Sequence, residues 1–164
     1  MSTFVSVGNA TQPFCRLLDE VTRLAMTLPQ PVIVQYGVTP FQSGDHQAVP
    51  FVKMDEFERL VSGAELLILH AGAGSVIHAV RAGKVPVVMP RRVLYNELVD
   101  DHQVEFAMAL EAAGRVVVAE GPAQLADAVR RALNLQRGAA KAVEASPMLR
   151  LVDEALASYA RKFS

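Results

Sequence analysis

Apolar residues in this chain fall into short runs that alternate with longer stretches in which they recur every three or four positions. Uninterrupted apolar runs of a few residues are typical of strands buried on both faces. Apolar residues spaced three and four apart lie on one side of a helix, so the stretches between the runs are predicted to be amphipathic helices. Strands are predicted at residues 3–7, 32–36, 49–52, 66–69, 85–89 and 116–118, and helices at residues 13–28, 55–61, 75–82, 104–113 and 122–133.

This alternation predicts an α/β fold in which a parallel sheet is covered on both faces. For six strands the commoner doubly wound, Rossmann-like order is 3-2-1-4-5-6, which places strands 1 and 4 side by side. The turns after these two strands, residues 8–10 and 70–75, are then expected to meet at one crevice. Ligands of open α/β sheets bind at such a crevice, where the strand order reverses.

The chain divides by composition into three segments. Residues 1–134 carry all the predicted strands and form one domain, and residues 135–146 are small and polar, which suggests a hinge. Residues 147–164 repeat apolar side chains at helical spacing, which predicts an amphipathic C-terminal helix. That helix either packs on its own sheet or docks a partner chain.

The turn at residues 70–75 has the pattern of an anion-binding site. A buried strand leads through His70, Gly72 and Gly74 into a helix start at Ser75. The first N–H groups of a helix lack partners and carry partial positive charge, and glycines let a phosphate approach closely. The pattern lacks the third glycine of the dinucleotide fingerprint and the Lys-Ser or Lys-Thr pair of a P-loop. Alternatively, the turn only packs a helix against the sheet.

Composition excludes several other classes of function. The net charge of −1 provides no basic face for nucleic acid. The single cysteine, Cys15, excludes a disulfide framework and is expected to be buried as a small apolar side chain. No signal peptide is visible, and no apolar run approaches the roughly 20 residues of a membrane span. The expected location is therefore the cytoplasm.

Two motifs together carry a resemblance to a known family. The HAGAGS turn at residues 70–75 is followed, after the next strand, by a PRR…NE…DDHQ pattern at residues 90–103. This pairing resembles the donor-binding, family 28 C-terminal domain of GT-B glycosyltransferases. It is closest to the small catalytic subunits of two-component transferases, which act in bacterial exopolysaccharide and capsule synthesis and in dolichol-linked N-acetylglucosamine transfer.

The resemblance implies a role for the glycine turns and for His70. Backbone N–H groups are expected to bind the diphosphate of a UDP-sugar, from Gly8, Asn9, Gly72, Ala73, Gly74 and Ser75. His70 is expected near the leaving diphosphate, where a hydrogen bond would stabilise the negative charge that grows as the sugar departs. Alternatively, it is a satisfied core imidazole. His78, further along the same helix, is expected to be structural.

The resemblance also implies contacts to the sugar, the ribose and the base. Sugar and ribose contacts are expected from Arg91, Glu97, Asp101, His102 and Gln103. Uracil recognition is expected at Val52, Lys53 and Met54. Three alternatives stay open here. Asp100 or Asp101 is an N-cap, Glu97 pairs with Arg91 or Arg92, or those arginines hold an anionic group.

The resemblance implies the donor-binding, catalytic subunit of an inverting glycosyltransferase that needs neither a cofactor nor a bound metal. A membrane-anchored partner would bring the acceptor site and a lipid-linked glycan acceptor, and would recruit this chain peripherally to the membrane. Glucuronic acid, galactose and N-acetylglucosamine are all compatible as the sugar, with Arg91 and Arg92 favouring an acid. A non-enzymatic nucleotide-sugar-binding regulatory module and an epimerase-like half-enzyme are the alternatives.

Overall fold

A computed structural model of the chain describes residues 2–44, 46–139 and 158. The strands in this part are β1 (Thr3–Ser6), β2 (Val32–Gln35), β3 (Gln47–Val49), β4 (Leu66–His70), β5 (Val87–Met89) and β6 (Val117–Val118). The helices are α1 (Cys15–Leu24), α2 (Met54–Gly63), α3 (Ala73–Arg81), α4 (His102–Ala112) and α5 (Leu125–Ala139). Short 3-10 turns lie at Ala25–Thr27, Val93–Tyr95 and Pro122–Gln124.

The strands form one parallel sheet in the order β3-β2-β1-β4-β5-β6, which confirms the predicted order. β1 and β4 are neighbours at the centre, with Ser6 opposite Leu69 in the register. β2 and β3 lie on one side of β1, and β4, β5 and β6 lie on its other side. The strand order therefore reverses between β1 and β4. Their carboxyl ends, and the turns that follow them, lie side by side as predicted.

Helices cover both faces of the sheet because successive side chains of each strand point to opposite faces. In β4, Leu66 and Ile68 pack in one apolar core with residues of α1 and α5. Leu67 and Leu69 pack in the other core with residues of α2, α3 and α4. All four side chains are at most 2% exposed. A strand buried on both faces has no polar alternation, which is why the run is uninterrupted in the sequence.

Several element boundaries differ from the prediction. β3 covers Gln47–Val49 instead of residues 49–52, because Pro50 has no N–H to continue the ladder. α3 begins at Ala73, two residues before the predicted start at Ser75. The earlier start places Ala73, Gly74 and Ser75 together in the first turn of the helix.

Two further expectations concern Cys15 and the C-terminal segment. Cys15 is exposed at the start of α1, so the prediction that it is buried is wrong. α5 continues to Ala139, so the first five residues of the predicted hinge are helical. The rest of that hinge and, apart from residue 158, the predicted helix over 147–164 lie outside the described residues.

Candidate functional site

A cavity of about 280 Å³ opens where the central strands end. It lies between the turn after β1, the first turns of α3 and the connection from β3 to α2. Its lining residues are Gly8, Asn9, Gln35, Val52, Met54, Phe57, Gly74, Ser75, His78. The crevice predicted from the strand order is therefore open.

The N-terminus of α3 provides unpaired donors on one wall of this cavity. Gly72 occupies the N-cap position, and no side chain caps the helix. The first helical N–H group with a backbone partner in the described residues is that of Val76, bonded to Gly72 O at 3.1 Å. The N–H groups of Ala73, Gly74 and Ser75 are left without one. A Cβ built on Gly74 meets no atom within 4 Å. This helix end is open to an anion.

The imidazole of His70 lies between two of the glycines that were predicted to serve a phosphate. A Cβ on Gly8 would be 2.2 Å from His70 Nε2, and a Cβ on Gly72 would be 2.0 Å from His70 Cε1. Gly8 also has φ +76°, which a side chain rarely tolerates. These two glycines make room for the histidine ring, whereas Gly74 is the glycine that faces free space.

His70 is buried at the end of β4 and contacts two polar side chains. Gln103 Nε2 lies 3.3 Å from His70 Nδ1, and Ser75 Oγ lies 3.5 Å from His70 Nε2. Burial, together with the nearby positive charge of Arg91, lowers the pKa of His70 from 6.5 to about 3. The imidazole is therefore neutral at physiological pH and carries one proton.

Gln35 holds the turn after β1 and was not identified from the sequence. Its Nε2 donates to Gly8 O and to Asn9 Oδ1, both at 3.3 Å, and its Oε1 accepts from the Ser6 hydroxyl. The Ser6 oxygen in turn accepts from the Gly8 N–H at 3.2 Å. A buried glutamine at the end of an otherwise apolar strand is the sequence signal that could have revealed it.

Two of the three predicted base-binding residues are at the cavity. Val52 and Met54 line it, whereas Lys53 is the exposed N-cap residue of α2 and does not. His78 and Phe57 line the cavity as well, with their rings edge to face. His78 comes one helical turn after Ser75. His78, which was expected to be structural, therefore also forms part of the cavity wall.

Arg91 lies elsewhere than its predicted sugar-binding role requires. Its side chain is fully buried, and its guanidinium donates to the backbone oxygens of Val7 at 2.6 Å, Gln12 at 2.9 Å and Glu97 at 3.0 Å. Burial lowers the pKa of Arg91 to about 10, so the group stays charged at neutral pH. The Arg91 guanidinium therefore links three segments of the backbone, at Val7, Gln12 and Glu97.

Glu97 is also directed into the protein. Its carboxylate makes a bidentate ion pair with Arg16 of α1, with distances of 2.8 and 3.0 Å, and accepts the Arg92 N–H at 3.1 Å. The predicted partners were the side chains of Arg91 or Arg92, so the prediction of an ion pair named the wrong arginine. Glu97 is 3% exposed and does not line the cavity.

The DDHQ residues are divided between loop, helix end and core. The Asp100 carboxylate accepts the His102 N–H at 3.0 Å and contacts the His102 ring, which lowers the pKa of Asp100. Asp101 occupies the N-cap position, but its carboxylate accepts the Val93 N–H at 3.0 Å instead. Gln103 is buried and reaches the crevice only through His70. In the described structure, the predicted sugar-binding set therefore stays outside the cavity.

No three His, Cys, Asp or Glu side chains among the described residues come together in a group that could hold a metal ion. The same part of the chain contains no helix that is both long and apolar enough to span a bilayer. That the reaction needs no bound metal stays a prediction.

An uncapped helix end at the switch point of a doubly wound parallel sheet places unpaired donors where ligands of such α/β domains bind. The family described as "Glycosyltransferase family 28 C-terminal domain" matches residues 3–154. The chain belongs to this family.

Curated relatives include proteins named UDP-N-acetylglucosamine transferase subunit ALG13. The protein from Yarrowia lipolytica is 33% identical over 123 residues, which cover 67% of this chain and 60% of the relative. The protein from Cryptococcus neoformans var. neoformans serotype D is 43% identical over 67 residues, 40% of this chain and 32% of the relative. The chain thus spans less than two thirds of the length of these relatives.

Solved structures share the fold at low sequence identity. The glycotransferase of kitacinnamycin superposes with a TM-score of 0.66 and 17% identity, over 97% of this chain and 40% of that protein. Acinetobacter baumannii MurG gives 0.59 and 22%, over 95% and 49% of the two chains. CalG4, the calicheamicin glycosyltransferase, gives 0.58 and 19%, over 98% and 42%. These similarities show the fold alone.

Proposed function

We propose that this chain binds a UDP-sugar and provides the donor half of an inverting glycosyltransferase that needs no metal. The observation that carries the proposal is the uncapped N-terminus of α3 at the switch point, where the N–H groups of Ala73, Gly74 and Ser75 have no backbone partner among the described residues and Gly74 and Ser75 line the cavity. A diphosphate is the part of a UDP-sugar that such a helix end would bind. Membership of the family 28 domain family makes a sugar nucleotide the ligand to test.

The same helix end has a catalytic consequence in this proposal. Negative charge grows on the departing diphosphate as the bond to the sugar breaks. Donors that are already oriented stabilise this charge without reorganising. The helix N–H groups and the Ser75 hydroxyl would supply that stabilisation, and the nucleoside would extend towards Val52 and Met54.

UDP-N-acetylglucosamine is the first donor that we propose. The curated relatives are named as UDP-N-acetylglucosamine transferase subunits. The main reason to favour an acidic sugar was a pair of arginines near the site, and one of them, Arg91, is buried and bonded to backbone oxygens. An uncharged N-acetylhexosamine needs no such partner.

A second polypeptide is part of the proposal. The curated relatives are named as subunits of a transferase, and a subunit acts together with another polypeptide. We propose that a membrane-anchored subunit supplies the acceptor-binding half, presents a lipid-linked glycan and recruits this chain from the cytoplasm to the membrane. The glycan made, whether an exopolysaccharide, a capsule or an N-glycan, would be set by that subunit.

Calorimetric titration with UDP and with several UDP-sugars tests donor binding. Ser75→Ala removes one hydroxyl from the cavity wall, and we expect it to weaken UDP binding about tenfold, the effect of one hydrogen bond to a charged group. Ser62→Ala, an exposed serine near the end of α2, is the matched control. Unchanged UDP affinity in the Ser75 variant would contradict the proposed site.

Transfer assays test the division between two polypeptides. The purified chain is expected to leave a lipid-linked acceptor unmodified, and to transfer sugar when membranes from the organism that makes it are added. Efficient transfer by the chain alone would refute the need for a partner. UDP binding without turnover in every mixture would favour a regulatory module instead.

A further inference from the structure

Gln103 has an orientation that its neighbours determine. The backbone N–H of Arg91 can only donate, and it lies 3.1 Å from Gln103 Oε1. The amide oxygen of Gln103 is therefore directed at Arg91, and the amide nitrogen is directed at His70 Nδ1, 3.3 Å away. An amide NH₂ group can only donate. His70 Nδ1 must then be the acceptor and carry no proton.

The single proton of the neutral His70 ring is therefore bound to Nε2. Nε2 is the ring atom that faces the cavity wall, 3.5 Å from Ser75 Oγ and directly against Gly8. Both Ser75 and Gly8 line the cavity. Gln103 and His70 are buried, so their mutual arrangement is set by the protein.

We propose that Gln103 is a positioning residue that fixes His70 as the Nε2–H tautomer and so orients the Ser75 hydroxyl towards a bound anion. Donation then runs in one direction. Arg91 N–H donates to Gln103, Gln103 to His70, His70 to Ser75, and the Ser75 hydroxyl to the ligand. In the opposite tautomer, Ser75 would donate to Nε2 and present its lone pairs to the anion, which is repulsive. The last step rests on the proposed function, because it requires a diphosphate in the cavity.

This role differs from the sugar contact that the family resemblance implies for Gln103. A sugar contact changes the discrimination among UDP-sugars and leaves the affinity for UDP unchanged. A residue that acts through His70 and Ser75 changes the affinity for UDP itself, since UDP contains the diphosphate and no sugar. The two roles are therefore separable by measurement.

The tautomer is measured by long-range ¹H–¹⁵N NMR correlation of the histidine ring nitrogens at neutral pH. In the unsubstituted protein we expect a protonated Nε2 and an unprotonated Nδ1 in His70. Gln103→Glu keeps an acceptor for the Arg91 N–H but replaces the donating NH₂ with a second acceptor. It is expected to place a proton on Nδ1.

Gln136→Glu is the matched control, because Gln136 also bridges two backbone groups, the Val85 N–H and the Gly83 oxygen, far from His70. It should leave the His70 signals unchanged. A protonated Nδ1 in the unsubstituted protein overturns the proposal without any variant. An unprotonated Nδ1 in a folded Gln103→Glu protein overturns it as well.

Titration with UDP tests whether the effect passes through Ser75. Gln103→Glu is expected to weaken UDP binding about tenfold, and less than twofold when Ser75 is already alanine, since coupled residues are not additive. An equal loss in both backgrounds would show a general repulsion by the new carboxylate and would refute the route through Ser75. If the unsubstituted protein does not bind UDP, the proposed function and the Ser75 step fail. The tautomer is still decided by the NMR spectrum.

Discussion

Two connecting segments follow neighbouring strands of the sheet, and they have different roles in the structure. After β4, residues 71–72 lead directly into α3, whose first N–H groups are uncapped beside the cavity. After β5, residues 90–101 form a long loop before α4. In that second segment the side chains of Arg91 and Glu97 are buried, and they bond to backbone groups and to Arg16.

The difference follows from the length of the two connections. A two-residue connection has few backbone groups of its own to satisfy, so the free groups of the helix end stay available to a ligand. A long loop against the protein must pair its own N–H and C=O groups, and charged side chains are used for this purpose. Polar residues that lie close to a ligand site in the sequence therefore do not all bind the ligand.

The largest effect is expected for Arg91, whose side chain stabilises the loop after β5 by donating to backbone oxygens. Arg91→Lys replaces a planar group that reaches three backbone oxygens with a single ammonium, and should lower the free energy of unfolding by about 3 kcal/mol. Urea denaturation measures this. Arg130→Lys, on the exposed face of α5, should change it by less than about 0.5 kcal/mol. A stable Arg91→Lys protein that has lost UDP binding would return Arg91 to the ligand site.

Two glycines of the same turn sharpen the assignment of the first segment. Gly72→Ala would force a Cβ into the His70 ring and should cost about 2 kcal/mol of stability. Gly74→Ala adds the same methyl group to open space and should change stability by less than about 0.5 kcal/mol. Thermal unfolding measures the stability of each variant, and titration with UDP measures its affinity for the ligand. If Gly74→Ala also leaves UDP affinity unchanged, the open side of α3 is not the phosphate site.

Glu97→Gln tests the second segment at its ion pair. The amide keeps the shape but loses the charge that pairs with Arg16, so we expect a loss of about 1.5 kcal/mol of stability with no change in UDP or UDP-sugar affinity. Chemical denaturation and calorimetry give the two values. Loss of discrimination among UDP-sugars at unchanged stability would support the sugar-binding role that the family resemblance implies.

The smallest effect is a pH dependence that originates at His70. The pKa of His70 is about 3 in the folded protein and 6.5 when unperturbed. Below pH 6.5 the unfolded chain therefore binds a proton at His70 that the native state does not bind. The contribution of His70 to stability is fully present above pH 6.5 and is lost as the pH falls towards 3, by about 1 kcal/mol between pH 6.5 and 5.5. The positive charge of Arg91 also lowers the pKa of His70 and acts in the same direction. His70→Gln should remove this component from denaturation curves measured across that range.

Much of the architecture could be predicted from the sequence. Apolar periodicity reports which faces of each strand and helix are buried, and the connections of parallel strands permit few arrangements, so the strand order and the crevice between β1 and β4 follow from local patterns. The presence of a helix start in this turn is equally local, because the groups left unpaired there belong to consecutive residues, although the predicted start at Ser75 was two residues late.

Only the tertiary structure decided how the polar residues are paired. The Arg16–Glu97 pair joins residues 81 positions apart, and the contact of Arg91 with Val7 O spans 84. The fit of His70 between Gly8 and Gly72, and its bond to Gln103, likewise depend on how separate strand ends come together. Local periodicity carries no information on such partners. A hydrogen bond is directional and short, and which groups meet is fixed only when the whole sheet has formed.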